Sequence, residues 1–159
     1  MPDQLEVRKM TSFDIRLFHD DASIVLIGEG LLAATLPRGG WTHEAHLAAC
    51  SWLLRDRADI DIERDLPAII SAYNIACGGV NDDAQGYHET ITQVYIAGVR
   101  AHLAEVATDL PLYEAVNRLL LSARGRRDLP LLFYSKELLF SAQARRTFVA
   151  PDLVGLDQM

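Results

Sequence analysis

The chain has 159 residues, of which 50% are apolar, and a formal net charge of −7. That length and apolar fraction suffice for one domain that buries a full core without disulfide bonds or structural metals. The acidic balance argues against nucleic-acid binding, because nucleic-acid-binding surfaces gather lysine and arginine on one face. The short basic clusters at residues 124–127 and 145–146 are expected to be solvated faces or helix ends.

The first residues lack the basic and apolar regions of a secretory signal peptide, so we expect a cytoplasmic protein. The apolar run at residues 22–36 contains Gly28, Glu29 and Gly30 and falls short of the about 20 residues of a membrane span. No contact with a membrane is therefore predicted. Cys50 and Cys77 are expected to be free thiols, because disulfides are rare in the cytoplasm.

Apolar residues recur with helical period along the chain, and no sustained alternation or tight hairpin turn indicates strands. Glycine and proline divide the chain into predicted helices over residues 20–36, 43–57, 63–76, 87–106 and 112–124. One helix or two short ones follow over residues 135–141 and 142–148. Residues 1–12 and 154–159 are expected to be loosely held. The sequence thus predicts an all-α, single-domain bundle of five to six helices spanning residues 1–159.

Two predicted helices begin with a His-Glu pair. Thr42 is the predicted N-cap of one, within the motif W-T-H-E-A-H-L at residues 41–47, and G-Y-H-E-T-I-T at residues 86–92 opens the other. Unpaired backbone N–H groups and the positive dipole end disfavour a charged imidazole there. We therefore expect neutral histidines, the form that binds metals, on stripes that face the core.

His43, His46 and His88 form the predicted metal site. The first two lie three residues apart on one helix face, and the third would enter from an antiparallel neighbour. Three histidines with an open fourth position are typical of catalytic zinc. The sequence therefore predicts a divalent transition metal, preferably zinc. The open position points to a metal-dependent hydrolase or transferase acting on a small molecule.

Glu89 is the predicted catalytic residue. Neighbouring helical residues point about 100° apart, so Glu89 and His88 are not expected to share one ion. Glu89 would instead take a proton from a metal-bound water, although a carboxylate in the first helical turn is also stabilised by the dipole. The dipole and the backbone N–H groups of the first turn are the expected explanation for Glu44. Cys50 is expected to pack in the core rather than to bind the metal.

Other polar side chains are expected to have structural roles. His19 should be exposed at a helix start, and His102 lies about 21 Å along its helix from His88 at about 1.5 Å per residue. Tyr134 is expected to pack and form a hydrogen bond. A salt bridge is the expected role of Arg145, with an anionic substrate group as the alternative.

Two other functions remain open from the sequence. In one, the protein is a metal-free binding or interaction module whose histidines hold the bundle together through buried hydrogen bonds. In the other, His88 and Glu89 perform acid–base catalysis without a metal. A small-molecule ligand and a homodimer are compatible with either function, since the apolar content is high and no heptad run specifies an oligomer.

The segments at residues 41–47, 86–92, 133–135, 144–145 and 151–153 resemble those of a group of small uncharacterised bacterial proteins. The paired W-T-H-x-A-H-L and G-Y-H-E-T-I-T motifs carry the resemblance, which runs from about residue 36 to residue 156. It supports the choice of these histidines and implies no particular reaction. A looser resemblance is to DinB-type helical bundles, which hold a divalent ion with histidines from different helices. This chain lacks that family's histidine spacing, so this second resemblance implies the fold alone.

Overall fold

The computed structural model describes residues 15–159. In this range the regular structure is helical and contains no strand, which confirms the predicted all-α class. The helices are α1 (Asp21–Leu32), α2 (His43–Asp56), α3 (Ile62–Ala76), α4 (Glu89–Glu105), α5 (Leu112–Leu120), α6 (Lys136–Leu139) and α7 (Ala142–Arg146). Short 3-10 turns lie at Arg38–Gly40, Ala123–Gly125, Leu129–Leu132 and Leu156–Gln158. Residues 1–12, which are predicted to be loosely held, lie outside the described residues.

Side-chain caps explain where several helices begin. The Thr42 hydroxyl accepts a hydrogen bond from the backbone N–H of Ala45 at 3.1 Å, which confirms the predicted cap of α2. Asp20 caps α1 and Asp61 caps α3 in the same way. Each cap satisfies an N–H group that has no partner within its own helix.

Two predicted helices end four residues earlier than expected. Helix α1 ends at Leu32 rather than at residue 36, because Ala34 takes a left-handed φ of 55°. The carbonyl oxygen of Gly30 then accepts from the N–H groups of Thr35 and Leu36 at 2.9 and 3.1 Å. Helix α5 ends at Leu120 rather than at residue 124, and a separate 3-10 turn follows. Backbone hydrogen bonds within the turn replace those that a longer helix would supply.

The main hydrophobic core is formed by buried side chains of α1 to α5. Helices α1 and α2 approach closely at Gly28, where an added Cβ would lie 2.1 Å from the Trp52 ring. A smaller cluster packs α4 against the chain that follows α5 and contains Val94, Phe133 and Tyr134. Residues 154–159, expected to be loosely held, contribute Leu156 and Met159 to that cluster. The two clusters together place α4 at the centre of the fold.

The loop between α3 and α4 is held by the side chain of Asn81. Its amide oxygen accepts from Asn74 at 2.9 Å and from the backbone N–H of Tyr87 at 3.0 Å, and its amide nitrogen donates to Ser71 O at 3.0 Å. Gly86 has a φ of +83°, and a Cβ there would lie 2.3 Å from Val80 O. The motif that opens α4 therefore depends on a glycine at this position.

No helix between residues 15 and 159 is long and apolar enough to cross a bilayer. The cytoplasmic location stays a prediction. Cys50 and Cys77 are both free thiols, as expected.

Candidate functional site

A cavity of about 340 Å³ lies between α1, α2, α3 and α4. Most of its wall is aliphatic or aromatic, and a few polar side chains interrupt that surface. The lining residues are Leu31, Trp41, His43, His46, Leu47, Ala49, Cys50, Leu66, Ile70, Ile91, Thr92, Tyr95, Ile96 and Arg127. Two of the predicted metal ligands, His43 and His46, belong to this wall, whereas His88 and Glu89 do not.

His46 presents one ring nitrogen to its own helix and leaves the other without a protein partner. Nδ1 donates to the carbonyl oxygen of Thr42 at 2.6 Å, so the neutral ring carries its proton on Nδ1. Nε2 at the tip of the side chain makes no hydrogen bond with any residue from 15 to 159. His46 is an exposed residue, so its predicted position on a core-facing stripe is wrong. The surrounding protein nevertheless lowers its pKa from 6.5 to about 4 by desolvation. At neutral pH, Nε2 is therefore a hydrogen-bond acceptor.

Two aromatic rings flank this histidine. The Trp41 ring lies on the His46 ring with centroids 3.7 Å apart and planes inclined by 33°. Tyr73 meets Trp41 edge-on, with centroids 5.5 Å apart. The loop before α2 is thereby packed against α3, and the imidazole of His46 has a restricted orientation at the cavity wall.

His43 connects α2 to the turn after α5. Its Nε2 donates to Gly125 O at 2.8 Å, and its ring meets the Tyr95 ring edge-on with centroids 5.7 Å apart. The Tyr95 hydroxyl donates to Arg126 O at 2.7 Å. Helices α2 and α4 therefore both hold the same short backbone segment, which fixes one end of the cavity.

His88 has both ring nitrogens in hydrogen bonds. Nδ1 accepts from the backbone N–H of Ile91 at 3.2 Å, so His88 is the N-cap of α4 rather than its second residue. Nε2 donates to Leu139 O at 2.7 Å and joins α4 to α6. Burial lowers the pKa of His88 and keeps the ring neutral. Neither nitrogen has a lone pair left for a metal in this arrangement.

Glu89 is also fully engaged by its neighbours. Tyr87 donates to Glu89 Oε2 at 2.6 Å, and Gln93 donates to Glu89 Oε1 at 2.7 Å. Burial raises the pKa of Tyr87 above its ordinary value, so the phenol keeps its proton as a donor. These bonds give Glu89 a structural role at the first turn of α4, and its predicted catalytic role stays a prediction.

The structure does not bring the three predicted ligands together. Between residues 15 and 159, no group of three or more His, Cys, Asp and Glu side chains is arranged to hold a metal ion. His43 and His46 share the cavity wall, but His88 bonds to α6. Spacing along two helices could not reveal that difference, because it depends on the backbone carbonyl that each ring meets.

Other polar residues have mostly structural partners. His102 is 7% exposed and its Nε2 donates to Ala115 O at 2.9 Å, while Tyr134 donates to Val149 O at 2.6 Å, as expected.

Cys50 is buried, as predicted, and burial raises its pKa to about 12. Among residues 15–159, Arg145 does not form the expected salt bridge. It donates instead to Gly86 O at 3.0 Å, because this loop carbonyl lacks a helical partner. His19 is exposed, as predicted.

Glu44 is buried beside the cavity, and its side chain is only 4% exposed. Its carboxylate lies 3.2 Å from the Arg127 guanidinium. Burial alone would raise the pKa of Glu44, but its own backbone N–H, Arg127 and His43 lower it overall. Glu44, Arg127 and His43 also line a second cavity, of about 440 Å³.

Two wall residues had no functional role in the sequence-based prediction. Arg127 was expected to be part of a solvated basic cluster, and it lines both cavities. Nothing in the sequence separates it from Arg126, which pairs with Asp128 at 2.8 Å on the surface. Trp41 is the other, and its position in the motif at residues 41–47 was the available signal.

No protein-family model, curated protein or solved structure matches this chain.

Proposed function

We propose that this protein binds a small, mainly apolar molecule in the cavity between α1, α2, α3 and α4. The cavity itself carries the proposal, because its volume of about 340 Å³ lies in the range of small-molecule sites. Aliphatic walls with a few polar groups are also typical of sites that bind small molecules.

The histidines support a binding module over a metal-dependent enzyme. His43, His88 and His102 each donate to a backbone carbonyl of another segment, at 2.8, 2.7 and 2.9 Å. These bonds join α2 and α4 to other segments of the bundle, which is the kind of role that the metal-free alternative gives to the histidines. Zinc and a metal-dependent hydrolase or transferase reaction stay predictions, as do a homodimer and the lack of nucleic-acid binding.

Titration with 2-methylnaphthalene tests the proposal, with tryptophan fluorescence and calorimetry as the two readouts. Trp41 lines the cavity, so its emission should change on binding. Ala49→Leu should fill part of the cavity and weaken binding at least about tenfold, since steric overlap in a packed site is costly. Ile70→Trp, from α3, is a second filling variant on a different wall.

Ala22→Leu is the matched control, because Ala22 is exposed on α1 and does not line the cavity. It should bind the probe as the unchanged protein does. Thermal unfolding of all four proteins would verify that each is folded. Equal affinity in the filling variants and the control, or no binding by the unchanged protein, would contradict the proposal.

A further inference from the structure

We infer that the ligand is an uncharged, mainly apolar molecule with a hydroxyl or N–H group that donates a hydrogen bond to Nε2 of His46. This inference rests on the proposed function and specifies the chemical class of the ligand.

Four polar side chains of the wall already use their donors, whereas the indole N–H of Trp41 has no partner among residues 15–159. Four polar side chains each donate to a backbone carbonyl: His43 to Gly125 at 2.8 Å, His46 to Thr42 at 2.6 Å, Thr92 to His88 at 2.9 Å and Tyr95 to Arg126 at 2.7 Å. A neutral imidazole or a hydroxyl has one proton to donate. These four groups can therefore still accept a hydrogen bond but have none left to donate. A ligand that donates a hydrogen bond matches them.

His46 is the acceptor best placed among these groups. Its ring is open to solvent and lines the cavity, and no described residue donates to its Nε2. Trp41 covers the ring at 3.7 Å between centroids and restricts its orientation. Desolvation lowers the pKa of His46 to about 4, so the acceptor persists through the physiological pH range.

Two remaining wall groups bear on the charge of the ligand. Cys50 is buried with a pKa near 12 and stays a weak thiol donor. Arg127 is the cation that an acidic ligand would need, but its guanidinium lies 3.2 Å from the buried carboxylate of Glu44. A ligand carboxylate would meet this pair as well as the lone pair of His46. An uncharged donor is the better match.

Three probes of nearly equal shape test the inference: 2-naphthol donates a hydrogen bond, 2-methylnaphthalene does not, and 2-naphthoate carries a negative charge. We expect 2-naphthol to bind about five- to tenfold more tightly than 2-methylnaphthalene, the usual effect of one hydrogen bond. His46→Phe should remove that preference while 2-methylnaphthalene still binds within about twofold, because the ring and its stacking remain. His19→Phe is the matched control and should keep the preference, since His19 is exposed and outside the cavity.

Equal binding of 2-naphthol and 2-methylnaphthalene by the unchanged protein would overturn this inference and leave the proposed function standing. Tighter binding of 2-naphthoate would also overturn it and would assign recognition to Arg127. A preference for 2-naphthol that survives in His46→Phe would show that another acceptor is responsible. If none of the three probes binds, the proposed function fails together with the inference.

Discussion

The rings of Trp41 and His46 are in close tilted contact, with centroids 3.7 Å apart and planes inclined by 33°. Both residues come from the same short motif, one before the N-cap of α2 and one in its first turn. Tyr73 of α3 contacts the Trp41 ring edge-on, with centroids 5.5 Å apart. Trp41 thus contacts both His46 and a residue of α3. These contacts restrict the orientation of His46, whose Nε2 is a hydrogen-bond acceptor at the cavity wall.

Trp41→Ala should therefore weaken both the fold and the site. We expect a loss of about 2 kcal/mol in the free energy of unfolding, because a large half-buried ring and two aromatic contacts are removed. Trp41→Phe should lose less than about 1 kcal/mol. Urea unfolding of the three proteins measures this, and equal losses in both variants would show that the aromatic contacts contribute nothing.

The depressed pKa of His46 predicts a pH dependence of stability. The folded protein holds His46 neutral to about pH 4, whereas the unfolded chain takes up the proton near 6.5. The unfolded state then binds more protons between these values, so stability falls as the pH falls from about 6.5 to about 4. Burial lowers the pKa of His88 and acts in the same direction.

Urea unfolding at pH 7.5, 5.5 and 4.5 would measure this dependence. In His46→Phe, the free energy of unfolding should fall less as the pH falls. In His19→Phe, it should fall as much as in the unchanged protein. A decline of the same size in His46→Phe would show that other groups cause it.

One hydrogen bond of His88 caps α4 and the other joins α4 to α6, so variants of His88 should separate the contributions of the two bonds to stability. His88→Ala loses the N-cap of α4 and the bond to Leu139 O, for a cost of about 2 to 3 kcal/mol. His88→Asn should lose less, because asparagine is a good N-cap. Thermal unfolding with added zinc and with a chelator should give the same loss. A stabilisation by zinc that disappears in His88→Ala would support the predicted metal site instead.

Gly86 should tolerate no side chain. Its φ of +83° and the 2.3 Å approach of Val80 O to an added Cβ predict that Gly86→Ala destabilises the protein by about 1 to 3 kcal/mol. Gly39→Ala is the control, because nothing lies within 4 Å of a Cβ there. It should change the free energy of unfolding by less than about 1 kcal/mol. Similar losses in both variants would mean that the loop adjusts freely.

The order and class of the helices could be predicted from the sequence because their causes are local. Apolar residues recur at helical spacing, and Thr42 caps α2 as its residue type predicts. The two short helices after residue 135 were anticipated as one alternative, and Ser135 and Ser141 cap them separately. Helix ends were less predictable: the left-handed Ala34 ends the turn after α1 without any glycine to signal it.

The amino-acid sequence by itself determined an all-α chain, because periodicity and capping act over a few residues. Only the tertiary structure decided what each histidine does, because a ring nitrogen can bind a metal, a ligand or a distant carbonyl. His43 donates to Gly125 O, His88 donates to Leu139 O, and His46 lines the cavity with no described partner for its Nε2. The carbonyl partners of His43 and His88 lie far away in the chain. The role of each histidine therefore depends on how the helices pack, which the spacing of the residues does not reveal.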